Sequence, residues 1–283
     1  MMHKKFGLIG HPIRHSMSPA LFKAGYDGRY PYELIEGDDF DESYRRFKDE
    51  YHGINVTAPF KELAFAKADI LSDECRLIKA TNLMVKTPEG IKAYNSDYLG
   101  VRMWLQEILD DSFAGMSPSG IRVLIAGCGG AGKAAAIAAA SLGMNVMLMN
   151  RNIDKAEAVA ESISMIPDAP AAEVRPLEDF RPCFRSSDVI IYNIPTAIPA
   201  LGELTDNDFC GCSQASGTYS RKHILEANYK NPSFDKILTD RAAKANPEIR
   251  FTKGSTWLVY QAITGYEIFT GEKPDLGRIS AVM

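Results

Sequence analysis

The chain has 283 residues, 46% hydrophobic and 24% charged, with a formal net charge of −4 at pH 7. That length and balance suit one large or two modest globular domains, and the slight acidity argues against a nucleic-acid or anionic-membrane partner. No apolar run approaches the roughly 20 residues that span a bilayer, and the short apolar stretch within residues 1–11 lacks a long h-region and a small-residue cleavage site, so the cytoplasm is the expected compartment.

Residues 6–9 read as a first strand, followed by a loop to Pro19, which opens a helix running to about Tyr26. Residues 32–36 read as a second strand, 40–51 as a helix, and 53–57 as a short strand entering another loop, with a helix from Phe60 onward. Residues 82–85 and 90–93 form a strand pair about Pro88-Glu89-Gly90. A connecting helix over 98–109 and a polar link over 110–120 follow. Next come a buried strand over 121–126, a helix over 134–142 closed by Gly143, strands over 145–149 and 188–192, and a helix over 254–269. The expected fold class is α/β in two domains. Residues 1–97 with 254–283 form an α/β substrate domain with a mostly parallel sheet, and 98–253 form a Rossmann-type, doubly wound nucleotide-binding domain.

The turn Gly127-Cys128-Gly129-Gly130-Ala131-Gly132-Lys133-Ala134 lies between a strand and a helix, the context that makes a G-x-G-x-x-G/A pattern a dinucleotide site. Gly127 supplies the tight turn, and the missing Cβ at Gly129 admits a pyrophosphate. Ala134 takes the third small position, where helix meets strand, and the helix N-terminus faces the anion. The same letters begin a P-loop, but Ala134 stands where a Mg²⁺-binding Ser or Thr is needed, which disfavours an NTPase. Cysteines at 75, 128, 183, 210 and 212 form no even framework, and Cys210-Gly211-Cys212 reads as reduced thiols rather than a redox or metal pair. His11 and His15, separated by Pro12, complete no metal site, so none is expected.

Polar residues collect at loop–element junctions, where α/β sheets place ligands: Ser16 and Ser18, Asn55 and Thr57 ahead of Lys61, Asn82, and Asn95-Ser96-Asp97. Each has a structural alternative, since Ser18 could cap the helix at Pro19 and Asn95 or Asp97 could begin the next one. In chain order, the blocks Gly10-x-Pro12 with His15-Ser16-Met17-Ser18-Pro19, Asn55-Val56-Thr57-Ala58-Pro59-Phe60-Lys61, Ala80-Thr81-Asn82 and Asn95-Ser96-Asp97-x-x-Gly100 resemble those of shikimate dehydrogenases. So do the glycine turn, Asn150-Arg151 and Gly254-x-x-x-Leu258-x-x-Gln261-Ala262.

The resemblance implies reversible reduction of 3-dehydroshikimate to shikimate in aromatic amino-acid (chorismate) biosynthesis. Ser16 and Ser18 would bind the substrate carboxylate; Thr57, Asn82, Gln261 and Tyr229 would hold the ring or order its neighbours; Lys61 and Asp97 would be the catalytic pair. Gly127, Gly129, Gly130, Ala131, Asn150, Arg151, Lys155 and Gly254 would serve the cofactor. At the end of the second nucleotide-domain strand an acidic residue would favour NAD, whereas Asn150-Arg151 and the nearby Lys155 favour a 2′-phosphate and hence NADP(H). Leu83 follows Asn82 where the family usually has threonine, Asn152 replaces a common threonine, and Glu226-Ala227-Asn228-Tyr229-Lys230-Asn231-Pro232 stands for an Asp-x-x-Tyr-x-Pro pattern. The alternatives are a quinate/shikimate dehydrogenase with NAD or dual cofactor use and a catalytically silent dinucleotide-binding regulator. Either way the partner is a small molecule and the protein a monomer or homodimer.

Overall fold

The computed structural model of the protein describes residues 4–210 and 221–283. The chain divides into two compact units, Met1–Gly100 with Leu258–Met283, and Val101–Trp257. In chain order its elements begin β1 (Phe6–Gly10), α1 (Ser18–Tyr26), β2 (Tyr32–Glu36), α2 (Phe40–Glu50), β3 (Gly53–Val56), α3 (Lys61–Ala66), β4 (Ile70–Leu71), α4 (Asp73–Ile78), β5 (Leu83–Thr87), β6 (Gly90–Tyr94) and α5 (Ser96–Asp111). They continue with β7 (Arg122–Ala126), α6 (Gly130–Ser141), β8 (Asn145–Met149), α7 (Ile153–Ser164), β9 (Glu173–Arg175), α8 (Phe180–Ser186), β10 (Val189–Tyr192), α9 (Pro199–Gly202) and α10 (Asp206–Cys210). The last are β11 (Lys222–Glu226), α11 (Lys236–Ala245), β12 (Ile249–Lys253), α12 (Gly254–Thr270) and α13 (Leu276–Ala281).

The first unit carries a six-stranded sheet in the order β2-β1-β3-β5-β6-β4. β1 pairs in parallel with β2 and β3, and the β5–β6 hairpin joins antiparallel. Strand side chains alternate between faces, and two cores result. On one face Ile9, Ile54, Val56 and Met84 pack with Phe40, Tyr44 and Phe47 of α2. On the other, Phe6 and Leu83 pack with Phe22 of α1, Tyr266 and Phe269 of α12, and Ile279 of α13. α2 begins where Asp39 accepts a hydrogen bond from the Glu42 N–H at 3.1 Å, a side-chain cap supported by acidic residues in the first turn.

All strands of the second unit's sheet are parallel, in the order β12-β11-β10-β7-β8-β9. Counted from β7 this is the doubly wound order 3-2-1-4-5-6, whose direction reverses between β7 and β10. Ligands of such sheets lie at the carboxyl ends of the strands beside that reversal. Every residue of β10, and Val123 to Ala126 of β7, is buried, as expected of central parallel strands covered on both faces.

Several boundaries differ from the sequence reading. α6 starts at Gly130 rather than Ala134, so its exposed N-terminal turn is made of the glycine motif itself. α5 starts at Ser96, two residues before the expected position, and runs to Asp111. β11 was hidden by its first letters: Lys222 and His223 are buried despite their polarity. Lys222 satisfies its ammonium on carbonyls at the C-terminal end of α8, donating to Phe184 O at 2.8 Å and to Ser187 O. Among the described residues no helix is long and apolar enough to cross a membrane, and no group of His, Cys, Asp and Glu could hold a metal ion. Cys210 donates to Ala245 O at 3.3 Å, while Cys212 lies outside the described residues.

Burial, reinforced by the Arg250 and Arg221 guanidiniums, pushes the His223 imidazole from 6.5 down to about 4. A pKa depressed in the folded state gives stability that is present above 6.5 and lost as pH falls toward 4. Replacing His223 with phenylalanine, which suits the neighbouring Phe113 ring at 5.8 Å, should shrink the fall in Tm between pH 6.5 and pH 4. Thermal melts across that range check it; an unchanged pH dependence would rule out a neutral buried His223.

Candidate active site

In the first unit the decisive contact is an ion pair, Lys61 Nζ to Asp97 Oδ2 at 2.6 Å. Lys61 opens α3 and Asp97 lies in the first turn of α5, where a carboxylate is favoured by the helix dipole. The aspartate side chain is 9% exposed and the lysine 29%, so the ammonium remains accessible to a ligand while its partner is sheltered.

Asn82 sets this geometry. Its Oδ1 accepts from the Ser96 N–H at 2.7 Å and the Ser96 hydroxyl at 3.2 Å, holding the start of α5. Its backbone carbonyl accepts from Val56 N at 2.9 Å and from Asn55 Nδ2 at 3.2 Å. Next to it, Thr81 N donates to Lys61 O at 3.1 Å, fixing the start of α3. Asn95 caps α5 through Oδ1, which accepts from Tyr98 N at 3.1 Å. The Asn82 amide oxygen is thus committed inside the protein, and the family's missing threonine at Leu83 is answered by a buried leucine in the sheet core.

Ser18 does not cap α1. The N-cap position is Met17, with no side-chain cap bond, and Ser18 lies one residue inside. The Ser16 hydroxyl instead donates to Ser18 Oγ at 3.1 Å and accepts from Ser18 N at 3.2 Å, so the two hydroxyls sit together. Tyr266 of α12 donates to Ser18 O at 3.2 Å. Burial pushes that phenol's pKa up, which keeps it a neutral donor. Thr57 follows β3, and its N–H donates to Ile9 O at the end of β1. Gln261 lies against α5 at Gly100, one helical turn after Asp97: a Cβ on Gly100 would come 2.7 Å from Gln261 N. Neither the Thr57 hydroxyl nor the Gln261 carboxamide has a hydrogen bond among the described residues. Sequence reasoning missed Tyr32, which donates to Asn55 Oδ1 at 2.8 Å, and Glu36, which accepts from Ile13 N and Arg14 at the Ser16 loop. Glu36 ends β2, and a carboxylate at a strand's carboxyl end was the available signal.

In the second unit Gly127 has φ +98°, a region that side chains rarely adopt. A Cβ at Gly132 would lie 1.8 Å from Gly127 O, so the turn closes only on glycine there. Around Gly129 and Gly130 nothing lies within 4 Å of a built Cβ, leaving a cradle beneath the unpaired N–H groups of α6. Such a cradle suits the pyrophosphate of a dinucleotide. Asn150 spends its carboxamide on shaping it: Oδ1 accepts from Cys128 N at 3.1 Å and Nδ2 donates to Asn152 O at 2.8 Å. Asn152 in turn caps α7, accepting from Asp154 N at 2.9 Å. Arg151 and Lys155 are exposed at this strand end and make no ion pair among the described residues.

Gly254 has a packing reason of its own, since a Cβ would meet Ala227 O at 2.2 Å. Tyr229 is 42% exposed on the loop after β11. The Glu226 carboxylate staples that loop by accepting from Phe234 N at 3.0 Å and from Ser233 N, and Asn228 Nδ2 donates to Pro195 O at 3.1 Å. Glu226, standing where the resembled pattern has aspartate, thus spends its carboxylate on holding the loop.

The two kinds of glycine separate by experiment. Gly129→Ala should leave the Tm of the ligand-free protein within about 1 °C, because the methyl enters open space, yet weaken dinucleotide binding by about 10-fold or more. Gly132→Ala should lower Tm sharply, since even overpacking short of such a clash costs about 1–3 kcal/mol. Thermal melts with fluorescence titration distinguish them, and equal Tm losses would show that the cradle is not open.

A family model described as the shikimate dehydrogenase substrate binding domain matches residues 8–84, and one described as shikimate / quinate 5-dehydrogenase matches residues 109–204. A curated protein of Carboxydothermus hydrogenoformans named shikimate dehydrogenase (NADP(+)) is 27% identical over 278 residues, covering 96% of this chain and 93% of that one. Among solved structures, shikimate dehydrogenase of Mycobacterium tuberculosis superposes with a TM-score of 0.76 at 26% identity, covering 99% of this chain and 98% of that chain. Quinate dehydrogenase of Corynebacterium glutamicum in complex with NAD shares the fold, with a TM-score of 0.79 at 21% identity and coverage of 99% and 98%. With both models matched in order and relatives spanning nearly its full length, the chain belongs to the shikimate dehydrogenase family.

Proposed function

We propose that the protein is an NADP-dependent shikimate dehydrogenase, reversibly reducing 3-dehydroshikimate to shikimate, with the first unit holding the substrate and the second the dinucleotide. The observation that carries the reading is the 2.6 Å Lys61–Asp97 pair, held by Asn82 and Thr81 and left accessible on the lysine side. Curated relatives over almost the whole chain bear the name shikimate dehydrogenase (NADP(+)), which supports the same assignment. Cys75, Cys128 and Cys183 are buried thiols, which suits a reducing compartment such as the cytoplasm.

Bound NADPH supplies the hydride. As charge grows on the substrate's carbonyl oxygen, the Lys61 ammonium stabilises it and gives it a proton, leaving a neutral amine. In the oxidation direction the amine takes the hydroxyl proton back. Asp97 orients Lys61 and accepts from a neighbouring substrate hydroxyl. Ser16 and Ser18 donate to the substrate carboxylate, and Thr57 and Gln261 offer the unspent polar groups that ring hydroxyls require. Tyr229, on the loop after β11, is the proposed substrate-binding tyrosine. Arg151 fits a 2′-phosphate in bidentate fashion, Lys155 adds charge, and Asn150 stands at the strand-end position where an acidic residue would favour an unphosphorylated ribose.

Initial rates for shikimate and quinate against NADP⁺ and NAD⁺ test the reading; efficient turnover of shikimate with NADP⁺ is expected. Dominant quinate oxidation with NAD⁺ would make it the related quinate enzyme, and tight NADPH binding without turnover would make it a regulator. Lys61→Ala should lower kcat by roughly 10²–10⁴-fold with little change in KM. Arg151→Ala should weaken NADP⁺ by roughly 10–100-fold, the worth of one charge-assisted contact, and leave NAD⁺ nearly unchanged.

A further inference from the structure

Asn193 follows β10 directly, at the carboxyl edge where the second sheet reverses direction. Its main chain is fixed, donating to Ala126 O at 2.7 Å. It lies against the glycine turn: a Cβ on Gly127 would come 3.0 Å from Asn193 C, and one on Gly132 would come 3.6 Å from Asn193 Nδ2. Both polar atoms of its carboxamide are closed off from solvent, and neither has a hydrogen-bond partner. Buried side-chain amides are ordinarily paired, and an unpaired one calls for a specific reason. Nearby Asn150 shows the ordinary case, with both amide atoms satisfied by backbone.

The residue as a whole is only partly buried. A dinucleotide phosphate at the α6 N-terminus offers acceptors for Nδ2, and the adjoining ribose offers a hydroxyl donor for Oδ1. We propose that Asn193 is a dinucleotide-contacting residue whose carboxamide, unpaired beneath the glycine turn, swings out to hydrogen-bond the phosphate–ribose segment of the bound cofactor. The proposal rests on the dinucleotide reading of the second unit. It assigns no chemistry to Asn193 beyond binding, and because the lost interaction exists only with ligand present, ligand-free stability and cofactor affinity should respond in different ways.

The experiment compares the parent protein with Asn193→Ala and Asn193→Asp by three measurements. These are the Tm without ligand, the Kd for NADPH by fluorescence titration, and the side-chain amide region of ¹H–¹⁵N spectra during NADP⁺ addition. The Asn193 amide signals are identified by their absence from the Ala variant. The alanine variant should keep or raise the ligand-free Tm and bind NADPH about 10-fold more weakly, the size of one hydrogen bond to a charged group. The aspartate variant, which keeps the shape but sets a negative charge beside the phosphates, should bind more weakly still. In the parent the Asn193 amide signals should shift as NADP⁺ saturates. A fall in ligand-free Tm with unchanged Kd would overturn the proposal in favour of a structural amide, as would signals that stay put on saturation. Failure of the parent itself to bind NADPH would refute the dinucleotide reading instead.

Discussion

The first unit depends on a two-residue junction, Thr81-Asn82, more than on any single hydrophobic contact. Thr81 N holds the start of α3 through Lys61 O, Asn82 N donates to Tyr94 O at the end of β6, and Asn82 O receives Val56 N at the end of β3. The Asn82 side chain then captures the first N–H of α5. Four elements are tied at one point, and the ends of two of them carry Lys61 and Asp97. A carboxylate and an ammonium on separate flexible elements gain little from pairing, because ordering two long side chains offsets the attraction. Here the backbone is ordered by the junction before the charges meet, so the 2.6 Å contact arises with little further loss of freedom. That is preorganisation in the sense relevant to catalysis: the dipoles and charges are in place before the substrate arrives.

The second unit solves the same problem with different atoms. Its anion cradle needs the chain to turn sharply after β7, stay open at Gly129 and Gly130, and point helix N–H groups outward. The turn is held from the side by Asn150 through Cys128 N, while Gly132 lets the helix start approach Gly127 O. Cys128 is pressed into this arrangement as a small apolar side chain. Burial pushes its thiol up to about 12, so it contributes packing rather than thiolate chemistry. One strand further on, Arg151 is displayed at the surface because Asn152 begins α7 immediately after it.

Much of this was legible in the sequence, for identifiable reasons. Apolar runs of four to six residues between glycines and prolines marked the central strands, and the strand–glycine–helix order around Gly127 marked the nucleotide fold. Lys61 and Asp97 could be picked out because their neighbouring blocks resembled a family; 36 positions apart, no periodicity joins them. What local patterning could not convey is hydrogen-bond traffic between distant segments. Helix capping stood as an alternative role for Ser18, and only the fold reveals that the cap is Met17 and that the serine hydroxyls pair with each other. β11 was masked because Lys222 spends its charge on the carbonyl end of α8, a partner 38 residues away. The start of α6 was placed late because glycines are poor helix formers, whereas here they open the helix so that a ligand can approach its N-terminus.

The recurrence of asparagine at these junctions has a common physical reason. Asn82, Asn95, Asn150, Asn152 and Asn228 each use the side-chain carboxamide to tie a loop or helix start to backbone. A carboxamide donates and accepts at once, is short enough to lose little entropy, and carries no charge that titrates. An aspartate could accept from the same N–H groups, but it could not donate to a carbonyl as Asn95, Asn150 and Asn228 do, and it would add negative charge beside Asp97 or the phosphate cradle. These neutral amides add no formal charge beside Lys61 and Asp97 in the first unit or Arg151 and Lys155 in the second, the residues proposed to meet the reacting group and the phosphate.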